Sequence, residues 1–178
     1  MGRTFSLLAL TAGVLFAANA AGAQAPAHAY VGAKGCAMCH KTEKQGSQLA
    51  IWEKSQHSKA YATLTTQAAN DIAKAKGITT PAAEAPACLK CHAIVGDAKA
   101  DVKDGVQCES CHGAGADYKA MGVMKVKAVA IAKGMMAFPD KAAIEAMCKN
   151  CHNEQSPTAK PFNFEEKWAK IEHKKPAA

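Results

Sequence analysis

Arginine is almost missing from this 178-residue chain: Arg3 is the only one, and every other basic residue is a lysine. Aromatics are scarce too, with 5 Phe, 3 Tyr and 2 Trp. Without the planar guanidinium fork that grips phosphate bidentately, and without rings on which bases stack, nucleic-acid recognition is a poor reading. No glycine-rich phosphate loop is present, which sets nucleotide-binding classes aside. Beyond the first 23 residues no apolar run approaches the ~20 residues that a membrane helix requires. Composition also lacks the periodic glycine of collagen and the sustained heptads of a coiled coil.

The first 23 residues stand apart. A basic start at Arg3, an apolar run from Phe5 to Ala18 and the small residues Ala21-Gly22-Ala23 have the order of a secretory signal with an A-x-A cleavage site. Residues 1–23 are read as that signal and 24–178 as one domain. Removal of 23 residues leaves 155, with 21 lysines against 15 acids, a formal charge of +6. The expected location is periplasmic or extracellular, with no integral membrane segment after cleavage.

What the chain does contain is cysteine in one repeated pattern. All eight fall in four pairs of the same spacing, and a histidine follows each pair: Cys36-Ala-Met-Cys39-His40, Cys88-Leu-Lys-Cys91-His92, Cys108-Glu-Ser-Cys111-His112 and Cys148-Lys-Asn-Cys151-His152. With seven histidines in the chain, four such placements by chance have a probability on the order of one in a million. C-x-x-C-H is the attachment signature of c-type haem. Two thiols three residues apart form thioethers to both porphyrin vinyl groups, and the adjacent imidazole becomes the proximal iron ligand. Zinc would use the thiols but has no need of a histidine after every pair. Disulfide staples leave the histidines unexplained, and C-x-x-C bridges are redox-labile. The reading is four covalently attached haem c groups, with His40, His92, His112 and His152 proximal.

Four haems share 155 residues, about 39 each, too few for an apolar core around every one. The expected fold is therefore mainly α, a small multihaem fold with the four haems forming the core and little or no strand. Thr42 and Gln45 have capping-box spacing before a helix carrying Leu49, Trp52, His57 and Tyr61. A further helix over 68–76 should stop at Gly77, and 78–87 should be a linker loop. Residues 93–105 read as irregular. Helices are expected over 118–133, from an Asp140 cap through Ile144 and Met147, and from an Asn163 cap through Trp168 to His173. The motif spacings of 52, 20 and 40 residues exclude a tandem repeat.

Three histidines lie outside the motifs: His28, His57 and His173. Each is a candidate distal ligand, so four haems are one histidine short. Met121, Met124, Met135 and Met136 are alternatives for a methionine-ligated iron, and an open site on one haem is another.

The sequence resembles the multihaem cytochrome c-554 family. The resemblance rests on the four motifs and on three further blocks. These are Trp52-Glu53-Lys54-Ser55-Gln56-His57-Ser58-Lys59-Ala60, Gly105-Val106-Gln107-Cys108-Glu109-Ser110-Cys111-His112-Gly113-Ala114-Gly115, and Phe162-Asn163-Phe164-Glu165-Glu166 followed by His173. It implies a helical, haem-cored fold with stacked and perpendicular haem pairs. It also implies three bis-histidine haems and one five-coordinate haem, the second. By the resemblance His57 would serve the third haem and His173 the fourth. The family's remaining distal histidine follows the third motif, where this chain has Asp117-Tyr118-Lys119-Ala120-Met121 instead.

The expected function is electron transfer between redox partner proteins through closely packed haems, which requires no catalytic residues. Lysines could steer an acidic partner, although eight haem propionates would largely cancel the +6. Two alternatives stand beside it. One is a conducting filament in which His28 is donated to the next subunit. The other is reduction of a small molecule of the nitric oxide type at a five-coordinate haem. The donor, the acceptor and the reduction potentials are not readable from the residues.

Overall fold

The computed structural model describes residues 28–95, 97 and 99–174. The expected signal, 1–23, lies outside them. Among the described residues 51% are helical and none is in a strand. Its helices are α1 (Gly32–His40), α2 (Gln48–Lys54), α3 (Ala60–Leu64), α4 (Gln67–Ala75), α5 (Pro86–His92), α6 (Cys108–His112), α7 (Met121–Met124), α8 (Lys127–Ala132), α9 (Lys141–Cys148) and α10 (Phe164–Trp168). None is long and apolar enough to cross a membrane.

Several boundaries follow from local chemistry that the sequence advertises. Thr66 caps α4 by accepting the Ala69 amide at 3.2 Å, and Gly77 ends it at φ +73°, with the Ile78 amide donating back to Ala73 at 2.9 Å. Asp140 accepts the Ala143 amide at 2.8 Å to start α9, and Asn163 accepts the Glu166 amide at 3.1 Å to start α10. Pro86 opens α5 from the first turn, where its missing N–H costs nothing, so the expected loop over 78–87 ends two residues early.

Two long helices expected from periodicity are broken. From Thr42 the chain makes a single 3-10 turn, Glu43–Gln45, then reverses through Gly46 at φ +103° and Ser47 at φ +51°. The Thr42 hydroxyl donates to the Gln45 side chain at 2.5 Å instead of capping an amide. A second break follows α2, where Ser55 Oγ donates to the Trp52 carbonyl at 2.7 Å and accepts the His57 amide at 3.2 Å. Serine hydroxyls compete here with the helical ladder. The 118–133 segment starts late, because Tyr118 is buried and turned inward with its hydroxyl donating to the carbonyls of His112 at 3.1 Å and Gly113 at 2.7 Å, and it splits into α7 and α8 at the extended Val126.

The polypeptide core is thin. Most buried apolar residues are alanines, such as Ala33, Ala73, Ala82, Ala85, Ala100 and Ala130. The one contiguous cluster gathers Leu64, Ala73 and Ala82 with Ile78, Cys88 and Leu89. The largest fully buried side chain is polar, Gln107. Meanwhile Met38 and Met121 are 72% and 67% exposed.

Candidate haem-binding site

Every cysteine-histidine motif ends a short helix or lies in the turn just after it. The first, second and third close α1, α5 and α6, and in the fourth Cys148 ends α9 while Cys151 and His152 occupy the following turn. On a helix, residues three apart share one side, which is the disposition that two thioethers to one porphyrin require. No two of the eight cysteines are joined by a disulfide.

The motifs meet in a spatial order different from their chain order. The Cys36 and Cys108 thiols lie close enough to perturb one another, joining the first motif to the third. Cys111 and Cys148 are close enough to raise the Cys111 thiol electrostatically, joining third to fourth. The Cys91 and Cys151 thiols likewise perturb one another, joining fourth to second. The arrangement is thus first, third, fourth, second. Burial pushes Cys111 and Cys151 up to about 11, and the nearby Cys108 thiol, with burial, raises Cys36 further.

The junction of the first and third motifs is fastened by two polar residues of the third. Glu109 is 3% exposed, and its carboxylate accepts the amides of Val31 at 3.0 and 3.2 Å, Gly32 at 2.8 Å and Gly115 at 2.6 Å. Gln107, 1% exposed, accepts the Ala33 amide at 2.9 Å and donates to the Asp101 carbonyl at 2.9 Å. Together they occupy the donors at the start of α1, which has no side-chain N-cap of its own.

The histidines form two pairs. His57 and His152 have ring centroids 6.1 Å apart, and His112 and His173 are 5.9 Å apart. Phe162 stacks on the His152 ring at 4.7 Å. Burial lowers the pKa of His57, His112 and His152, favouring the neutral imidazole. His92 is oriented differently, with Nδ1 against the Ala60 carbonyl at 2.8 Å. His28 lies apart from these pairs, its Nδ1 2.6 Å from Asp117 Oδ2.

Residues 35–113, which hold the first three motifs, match the family model described as cytochrome c554 and c-prime. No curated protein and no solved structure matches the chain. The match is to a c-type cytochrome family, which points to covalently bound haem and a role in electron transfer.

The residues present fit haem. An iron held at about 2 Å by one nitrogen of each of two opposed imidazoles sets their ring centroids roughly 6 Å apart, and both histidine pairs have that separation. His92 Nδ1, against a backbone carbonyl, leaves Nε2 for a metal, the usual arrangement behind a ligating histidine. The buried indole Nε1 of Trp168 is a donor without a protein partner. Among the described residues no three His, Cys, Asp or Glu side chains converge as a compact metal cage.

The pairing corrects one expectation from the family resemblance. His57 stands beside the fourth motif's histidine, not the third's, and His173 beside the third's, not the fourth's. The backbone explains His57. Its carbonyl accepts the Val106 amide at 3.0 Å, and a Cβ on Gly105 would lie 2.6 Å from that same oxygen. Trp52 Nε1 reinforces the clamp by donating to the Val106 carbonyl at 2.8 Å. The segment is therefore fastened to the entry of the third motif while its ring reaches the fourth. Of the candidate methionines, Met136 donates its amide to the His112 carbonyl at 2.9 Å, and Met121 is largely exposed.

Sequence reasoning named the motif residues and all three spare histidines as candidates. It missed Gln107 and Glu109, although both lie in the block most specific to the family. An acidic residue between two haem-attaching cysteines is unremarkable by pattern, and only burial reveals its part.

Proposed function

We propose that this is an exported tetrahaem cytochrome, 24–178, that passes electrons between redox partner proteins along the order first, third, fourth, second motif. The observation that carries the reading is the pair of imidazole pairs at 5.9 and 6.1 Å, linked by thiol contacts between motifs. Haem c supplies an iron that changes oxidation state with little structural rearrangement when both axial positions hold imidazole.

The protein's part is attachment, orientation and insulation. Cys36/Cys39, Cys88/Cys91, Cys108/Cys111 and Cys148/Cys151 anchor the four groups. His40, His92, His112 and His152 would ligate the four irons, with His57, which stands beside His152, and His173, which stands beside His112, as further ligands. Glu109 and Gln107 hold the first and third motifs in register, so the gap an electron crosses is fixed by buried hydrogen bonds rather than by surface contacts.

The test is the mass and the electron paramagnetic resonance of the purified, oxidised protein. Four haems per chain with at least two low-spin bis-imidazole signals are expected. A ratio below four, or only high-spin iron, overturns the reading.

A second reading, small-molecule reduction at the second haem, is favoured by one feature. A cavity of about 690 Å³ lies beside the second motif, lined by Tyr61, Leu89, Ile94 and Val95 among others. A nitric oxide difference spectrum in which about one haem in four binds rapidly would support it, and no rapid phase would reject it.

A further inference from the structure

We propose that His28, oriented by Asp117, is the second axial ligand of the iron held by His40. The inference rests on the tetrahaem reading above and assigns a site that reading leaves open.

The count of imidazoles sets the problem. His57 and His173 stand opposite His152 and His112, so His28 is the one spare histidine left, and His40 and His92 are the motif histidines without such a partner. The neighbours of His28 choose between the two. Its ring touches Asp117 and Gly134, and the adjacent Ala29 carbonyl accepts the Ala116 amide at 3.1 Å. Asp117, Ala116 and Gly134 all belong to the segment following the third motif, and the Gly134 carbonyl lies against Gly113. The third motif is the one that packs on the first, through α1 on α6 and the Cys36–Cys108 contact. His92, by contrast, is fastened to α3 through Ala60 and Thr63.

The ring itself is prepared for a metal. A carboxylate on one imidazole nitrogen fixes the tautomer and leaves the other nitrogen bare, as behind most metal-ligating histidines. Here the carboxylate is Asp117, 2.6 Å from Nδ1, and the bare atom is Nε2. Gly134 supplies the room. It sits at φ +97°, and a Cβ there would come within 2.7 Å of His28 Cδ2 and 2.9 Å of Nε2. Stability alone gives this contact little value, since the two side chains are 37% and 51% exposed and ion pairs so open to solvent are largely screened. Asp117 is accordingly a positioning residue, acting on the iron only through His28.

The test uses the full haem-loaded protein and the variants H28M, H28A and D117N. H28M should lose one of the bis-imidazole signals and gain the near-infrared charge-transfer band of a methionine–histidine haem. H28A should turn about one haem in four high-spin, and added imidazole should restore it. D117N should keep the low-spin count while the potential of one haem moves positive. A chain combining H28M with C36S and C39S should load three haems and lack the new band. H28M and H28A spectra identical to the parent at four haems per chain overturn the proposal. So does persistence of the band after the first haem is removed, or a band that appears only in assemblies and vanishes on dilution, which would mean donation to a neighbouring copy. A parent protein without four haems would instead defeat the tetrahaem reading.

Discussion

Replacing Glu109 is the sharpest perturbation available, because one buried carboxylate serves three backbone donors drawn from two segments: Val31 and Gly32 at the start of α1, and Gly115 beyond the third motif. Hydrogen bonds to a charged acceptor contribute about 1.5–3 kcal/mol each, and a buried donor left without a partner costs ~1–3 kcal/mol. Glu109→Ala orphans all three amides, so a loss of about 4–6 kcal/mol is expected, near the lower bound of what a domain of this size holds in reserve. Glu109→Gln keeps the shape and one acceptor oxygen but turns an NH₂ group toward an amide, and about 2–3 kcal/mol is expected. Urea unfolding of the haem-loaded protein reads this directly. With a slope of ~2 kcal/mol per molar, Glu109→Gln should lower the midpoint by roughly 1 M at unchanged slope. The first and third haems should lose their mutual coupling in the resonance spectrum before the other two are disturbed. A Glu109→Gln midpoint within 0.2 M of the parent, on the order of the extrapolation error, would refute the reasoning.

Gly105→Ala should lower stability by at least ~3 kcal/mol and perturb the fourth haem, because a side chain there is strained at φ +70° and meets the His57 carbonyl; thermal melts and the His57-dependent low-spin signal check it. Tyr118→Phe removes a hydroxyl that donates to the His112 and Gly113 carbonyls and should cost ~1–2 kcal/mol in urea unfolding, with the haem count unchanged. Asp97 is held below the ordinary carboxyl range by the Lys99 amide first and the Tyr30 amide second. Its folded pKa is thus depressed, so its contribution is present above the unfolded carboxyl's pKa and is lost as pH falls through the folded one. Asp97→Asn should flatten the acid limb of the stability–pH curve, and an unchanged limb would count against that contact.

The helix ends written in local chemistry were legible beforehand: Gly77, Asp140 and Asn163 do what their positions announce. The four cysteine-histidine motifs were legible for the same reason, since each is a fixed spacing within five residues. The lengths of the helices were not. Periodicity at Leu49, Trp52 and His57 suits a continuous helix, but Ser55 and Ser58 turn their hydroxyls onto the carbonyls of Trp52 and Glu53 and break it. Tyr118 looks like the start of a helix until its inward hydroxyl is seen. The partner of each distal histidine was hidden most deeply. His57 follows one motif in sequence, is clamped by another through Val106 and faces a third, a relation among three segments that no local pattern encodes.

The interleaved placement of the motifs also dictates a timetable for assembly. Cys36 meets Cys108 and Cys91 meets Cys151, partners 72 and 60 residues apart. A ribosome delivers the first member of each couple long before the second exists. Such distant contacts form late, after the cost of closing the intervening loops has been met. With a core made largely of alanine, little else compacts the chain in the meantime. Each cysteine-histidine segment therefore spends its early life unobstructed, open to the machinery that must install a bulky group on two adjacent thiols, and closes only when its counterpart arrives.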